Sequence, residues 1–323
     1  MSSSLSRRAV LGGALAALSV SRIHAADAPA TVRLVVPFPA GGSLDTLGRV
    51  LAPSLGRLLG ATVVVINIAG ATGQRAGIQV AHAPPDGRTL LLGTSATHAI
   101  AASLFPRLPY RPERDFAAVG RICSSRLVLV AHPSLRVRSL SGLIDAARAA
   151  PAPLAYGSWG TGSGGHLLVE AIRLQAGIDL THVPYQSVAQ MMRDLLGERL
   201  LLGISDTAGA IAPLREGKLV PLAISGTTRL AALPKVPALA EAQVPFTTES
   251  WCALFAPART PVAELMRLET ALQAALKEPP VQEALEPLVF EQGAMSRASF
   301  EQLWLDDIAA WRRIVTDTGI SLD

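Results

Sequence analysis

No apolar run in this chain is long enough to cross a bilayer. The longest uncharged stretch near its start, Ala9 to Ser21, falls short of the ~20 residues a spanning helix needs. Charges or prolines interrupt every other run. Cysteine is scarce, with only Cys123 and Cys252 in 323 residues. No CxxC, HExxH or Cys/His cluster accompanies them, which argues against a structural zinc site. Aromatic residues are 4% of the chain, and no basic run interleaves with them, so the usual footprint for nucleic acid is missing. Repeats, low-complexity tracts and long linkers are missing too.

The formal net charge of +4 is itself largely local. Arg7 and Arg8 precede the Ala9–Ser21 stretch, and small residues follow around Ala25 and Ala26. That pattern reads as an export signal over residues 1–26, cleaved near Ala25/Ala26, and predicts a periplasmic protein. Ser6 to Leu11, with its arginine pair, resembles a twin-arginine signal; an ordinary secretory signal is the plainer alternative. Three of the 29 basic residues (Arg7, Arg8 and Arg22) lie in this segment and no acid does. That leaves 26 basic against 25 acidic residues, a balance that implies no polyanionic partner.

The remainder reads as strands alternating with helices. Apolar runs at 33–37, 62–66 and 89–93 alternate with helical periods at 44–59 and 74–83. A second set follows: strands at 127–131, 153–156, 182–185, 201–204 and 220–225, with helices at 140–149, 166–176, 188–196 and 209–216. A strand at 251–256 and helices at 261–277, 279–286 and 297–317 close the chain. Such alternation predicts an α/β fold with parallel sheets covered by helices. Each set contains one glycine-rich loop between a strand and a helix. The first carries Phe38, Ala40, Gly41, Gly42, Ser43 and Asp45. The second carries Gly157, Ser158, Trp159, Gly160, Thr161, Gly162, Ser163 and His166. Bare backbone at a helix N-terminus suits an anion, because its free N–H groups and the helix dipole favour negative charge. Neither loop brings a lysine or arginine.

Motifs spread over nearly the whole chain carry a resemblance. They are Val35 to Asp45, Asn67 to Gly73, Pro85 to Gly93, Leu108 to Phe116, Tyr156 to Ser163 with His166, and His182 to Tyr185. Arg229, Leu233 to Pro237, Glu241 and Gly293 to Ser296 complete the set. In this order and spacing they resemble the Bug-type receptors of tripartite tricarboxylate transporters. The resemblance implies a two-lobed periplasmic-binding-protein fold, type II-like. Each lobe is a mostly parallel sheet flanked by helices, and two strands cross between the lobes. It places lobe 1 at residues 27–123 plus 252–323 and lobe 2 at 124–251. It implies a monomeric receptor that closes on a small organic acid, be it a di- or tricarboxylate, an amino acid or an aromatic acid. Such a receptor delivers its load to membrane transporter subunits, with no catalysis, no cofactor and no metal. Beyond the two loops, it adds Ser95, His98, Tyr185 and Asp206 as ligand-binding residues. It also brings the crossing strands side by side, which makes a Cys123–Cys252 disulfide a hypothesis.

Departures from the family pattern bear on specificity. Gln186 and Ser187 stand where the family often has lysine and glycine, Arg88 where a tyrosine usually follows Asp-Gly, and Arg75 where small or uncharged residues are commoner. Other readings stay open. Residues 160–165 fit G-x-G-x-x-G, so an exported cofactor-dependent oxidoreductase is an alternative, although no acid follows the next strand to hold a ribose. Ser163 and His166 could form a nucleophile and base, although Thr161 breaks the G-x-S-x-G setting. His166 could equally be a packed core histidine, Asp45 a charge favouring its own helix, and Asp206 an ordinary turn aspartate. A receptor that feeds a sensor rather than a transporter is a third possibility.

Overall fold

The computed structural model describes residues 30–244, 246, 248–286 and 291–322, the last stretch by backbone alone over 291–294. The expected export signal lies outside the described residues. In chain order the elements are β1 (Thr31–Val36), α1 (Ser43–Leu59), β2 (Thr62–Asn67), α2 (Gln74–Ala81), β3 (Thr89–Thr94), α3 (Ala101–Leu104), α4 (Pro112–Asp115), β4 (Phe116–Ser125) and β5 (Leu127–Ala131). There follow α5 (Leu140–Ala149), β6 (Leu154–Ser158), α6 (Gly164–Ala176), β7 (Leu180–Pro184), α7 (Val188–Leu196), β8 (Leu202–Asp206), α8 (Thr207–Arg215) and β9 (Val220–Ile224). The chain ends with β10 (Ser250–Pro257), α9 (Val262–Ala275), α10 (Pro279–Leu285), β11 (Glu291–Met295) and α11 (Arg297–Thr318).

The strands form a six-stranded sheet, ordered β11-β4-β10-β3-β1-β2, and a five-stranded sheet, ordered β7-β6-β8-β5-β9. Both sheets are mixed rather than mostly parallel as the resemblance implied, because β4 and β10 run against their neighbours and β5 against β8 and β9. Pairs joined through a helix, such as β1 with β2 and β6 with β7, are parallel. The long strands β4 and β10 pair antiparallel, because one carries the chain away from the six-stranded sheet and the other brings it back. Between them the chain builds the whole five-stranded sheet. This is the two-lobed arrangement the motifs imply.

Local sequence explains the helices. In α1, Leu44, Leu47, Leu51 and Leu55 recur at three- and four-residue spacing, all buried. Gly60 ends it in the left-handed conformation that a helix C-terminus favours. In α11, Phe300, Trp304, Ile308, Trp311 and Val315 form one buried stripe. That stripe belongs to a core that includes Val35 and Leu91 of the first sheet and Leu129 and Tyr156 of the second. The last long helix therefore seals apolar surface from both halves.

Candidate functional site

The first glycine loop is held open by Asp45. Its buried carboxylate accepts from the Gly41 N–H at 2.8 Å, Asn67 Nδ2 at 2.9 Å and Arg49 Nε at 3.0 Å. Asn67 Nδ2 also donates to the Phe38 carbonyl. The Arg49 hydrogen bond, then those from Gly41 and Asn67, hold the Asp45 carboxyl at about 2. Asp45 thus shapes the loop from behind. Gly41 takes a positive φ of 85°, which costs glycine little. Gly42 occupies the N-cap of α1 and supplies no capping side chain, so the donors of the first helical turn keep no partner of that kind.

The second glycine loop differs. The Gly162 N–H donates to His166 Nδ1 at 3.0 Å, and Ser163 Oγ caps α6 by accepting from the His166 N–H. The His166 ring stacks on His182 at 3.8 Å, and His182 Nε2 shares a 2.7 Å hydrogen bond with Ser158 Oγ. Burial lowers the pKa of both histidines, His182 to about 4. A Cβ at Gly162 would lie 2.6 Å from Leu104, and one at Gly165 would meet the Trp159 ring. Much of this loop's hydrogen bonding is therefore internal.

A cavity of about 370 Å3 lies between the sheets. Of the residues expected at a ligand, Phe38, Ser43, Ser95, Trp159 and Asp206 line it. Ala40, Gly41, Gly42 and Asp45 sit beside or behind its first wall. Gly157, Ser158, Gly160, Thr161, Gly162, Ser163 and His166 form the turn around Trp159 without joining the lining. Tyr185 precedes the lining residues Gln186 and Ser187, and its hydroxyl donates to Asp194. His98 is fully buried, stacked on Phe255 at 4.1 Å and bonded to Thr97 Oγ1 at 2.8 Å. Burial drives its pKa down to about 3, which keeps it neutral.

The rest of the lining comes from Leu44, from Thr94 and Ala96 where β3 enters a wide turn, and from Gln186, Ser187 and Val188 at the start of α7. The crossing strands add Cys123, Ser124, Ser125, Ser250, Trp251 and Cys252, and Leu127 follows β4. Sequence reasoning did not place the serines of β4 and β10 at the site. The signal available for them was the inferred crossing at Cys123 and Trp251–Cys252. Similarly, Gln186 and Ser187 stood out only as departures.

Three helices begin at the lining. Asp206 caps α8 by accepting from the Gly209 N–H at 2.8 Å, and Ser187 caps α7 by accepting from the Gln190 N–H at 3.2 Å. Helix α1 begins at the cavity without such a cap. Among the described lining residues there is no lysine or arginine, and Asp206 is the one acid. The chemistry on offer is neutral donors, hydroxyls and aromatic walls. Trp251 is itself fixed from behind, since its indole Nε1 donates to Asp307 of α11 at 2.6 Å.

Among the described residues no helix is long and apolar enough to cross a membrane, and no group of acids, histidines or cysteines could hold a metal ion. The family profile described as the tripartite tricarboxylate transporter family receptor matches residues 47–320. Protein BugT of Bordetella pertussis is 34% identical over 97% of this chain and 98% of its own length. Among solved structures, R. palustris Rpa4515 with adipate is 34% identical and has a TM-score of 0.76, covering 90% of this chain and 98% of that one. MatC from Rhodopseudomonas palustris with bound malate is 31% identical at a TM-score of 0.72, covering 88% and 98%. Fold, motif order and matched length agree: the chain belongs to the tripartite tricarboxylate transporter receptor family of solute-binding proteins.

Proposed function

We propose that the cavity captures a small organic carboxylate and that closure of the two lobes presents it to membrane transporter subunits. The observation that carries this reading is the uncapped start of α1. Ser43 and Leu44 line the cavity there, and the helix dipole adds partial positive charge where no cationic side chain does. Thr94, Ser95, Ser124 and Ser250 supply hydroxyls around it. Water bridging to the remaining oxygens costs little affinity. Adipate and malate in the related solved structures support the ligand class.

On this reading the first lobe is 27–123 plus 252–323 and the second 124–251. Ligand contacts come from Phe38, Ser43 and Ser95 on one side and from Trp159, Gln186 and Ser187 on the other. The protein is exported, with its signal removed near Ala25/Ala26, and it performs no catalysis. A thermal-shift screen over adipate, malate, amino acids and aromatic acids tests it. A bound acid at one hundred times its Kd stabilises the folded chain by about 2.7 kcal/mol, and Trp159 and Trp251 emission should change with it. Turnover of a substrate, or a panel in which no carboxylate stabilises the protein, would overturn the reading.

A further inference from the structure

The two cysteines meet at the cavity. Cys252 of β10 is the register partner of Cys123 on β4, in an antiparallel pair. Directly opposed residues in such a pair have Cα atoms about 4.5–5.5 Å apart, inside the range of roughly 4.4–6.8 Å that a disulfide spans. Both thiols are free, and both residues line the cavity. They differ in access, Cys123 being fully buried and Cys252 partly exposed. Among the described residues no third ligand joins them, so the pair is not a metal cage.

We propose that Cys123 and Cys252 form a thiol–disulfide exchange site in the wall of the ligand cavity, with a small or protein-borne disulfide as co-reactant. Cys252, the accessible thiol, loses its proton and attacks one sulfur of the incoming disulfide. That S–S bond breaks, one thiol departs with a proton, and a mixed disulfide remains on Cys252. Cys123 then attacks Cys252 Sγ, forms the cross-strand bond and expels the second thiol, which takes the Cys123 proton. Two protein thiols are oxidised to one disulfide while the co-reactant disulfide is reduced to two thiols. Disulfides of this class are available in oxidising compartments.

The surroundings order the two steps. The neighbouring Cys252 thiol, with burial next, pushes the Cys123 thiol well above its usual range, and Cys123 is the less accessible of the two, so it does not react first. The mixed disulfide on Cys252 leaves Cys123 a sulfur to attack across the register pair. Closure deletes two S–H donors from the wall between Ser124 and Trp251, and it ties the two strands that join the halves. This last consequence rests on the ligand reading above, and it makes carboxylate affinity depend on oxidation.

The test uses the full folded protein, reduced and then exposed to 2-hydroxyethyl disulfide without denaturant. Intact mass should fall by two hydrogens, with no thiol left to titrate after unfolding. Cys123→Ser should stop at one mercaptoethanol adduct, and Cys252→Ser should take none. Persistence of both thiols, adducts on both cysteines, or linkage between chains would overturn the proposal. Adipate and malate are then titrated into the oxidised and reduced forms, where a several-fold weaker binding on oxidation is expected. Equal affinity would remove the coupling to the ligand site. Absence of binding by either form would count against the carboxylate reading and leave the exchange result standing.

Discussion

Asp307, behind the cavity wall, sits in a charge conflict. Its carboxylate accepts from Trp251, and that hydrogen bond favours the ionised form. Burial opposes this and wins, and the neighbouring acids Glu249 and Asp306 add to it, so the pKa rises to about 7 despite Arg121. An acid whose pKa is raised on folding binds more protons folded than unfolded between about pH 4 and 7. Its contribution is therefore whole below the unfolded value and is lost as pH climbs through the folded one. At about 1.4 kcal/mol per unit, roughly 4 kcal/mol is at stake. Asp307→Asn keeps an oxygen for the indole and removes the titration. Urea melts from pH 5 to pH 8 should show the variant gaining stability relative to wild type, because the buried histidines His98, His166 and His182 add stability with rising pH in both proteins and only wild type carries the opposing Asp307 loss; identical slopes would mean that the carboxyl titrates normally. Asp45 has the opposite sign. Its depressed pKa gives stability that is present above the ordinary carboxyl range and lost as pH falls toward 2.

The elements at the cavity differ in how their first turns are satisfied. Helices α6, α7 and α8 begin on Ser163, Ser187 and Asp206, each accepting from its own helix. Helix α1 begins on a glycine. Gly41 and Gly60 both adopt positive φ, and a Cβ at either meets nothing within 4 Å. Replacing either with valine therefore imposes backbone strain of about 1–2 kcal/mol, with no clash at its Cβ. The two variants should lose similar stability, but only Gly41→Val should lose carboxylate binding, measured by calorimetry beside the melting curves. Binding retained by Gly41→Val would move the ligand away from α1. Helix α7 was legible in the sequence because a serine cap and a following glycine bracket an apolar period. Strand β4 was not, because Gly120, Arg121, Ser124 and Ser125 break its apolar pattern. In the second loop the Gly160, Gly162 and Ser163 N–H groups are met within the loop and its helix, and the ring that stacks on His166 comes from β7, which no local pattern reveals.

At the scale of the molecule, the alternation of strands and helices was enough to show two α/β halves, and the ordered motifs were enough to place the family. Alternation alone could not give the pairing of β4 with β10, since it depends on where the chain leaves one sheet and returns; the resemblance did, by setting the crossing strands side by side at Cys123 and Cys252. The cavity inherits Ser124, Ser125, Ser250, its two thiols and Trp251 from that pairing, so the crossing strands supply much of the wall. Asp307 joins this wall to α11, whose apolar stripe packs into the core shared by both sheets.

The lining without lysine or arginine has a kinetic side. Helix-end donors and hydroxyls act at contact range, so an anion in solution feels little pull toward the mouth, and Asp206 slightly repels it. Without steering, association should gain no electrostatic acceleration and change little between low and physiological salt. Stopped-flow Trp emission at low and physiological ionic strength should give on-rates that nearly coincide, whereas a steep fall with salt would reveal a hidden cation. Capture by this receptor is then set by encounter frequency and by how slowly the closed form lets go, and selectivity is exercised after arrival rather than on approach.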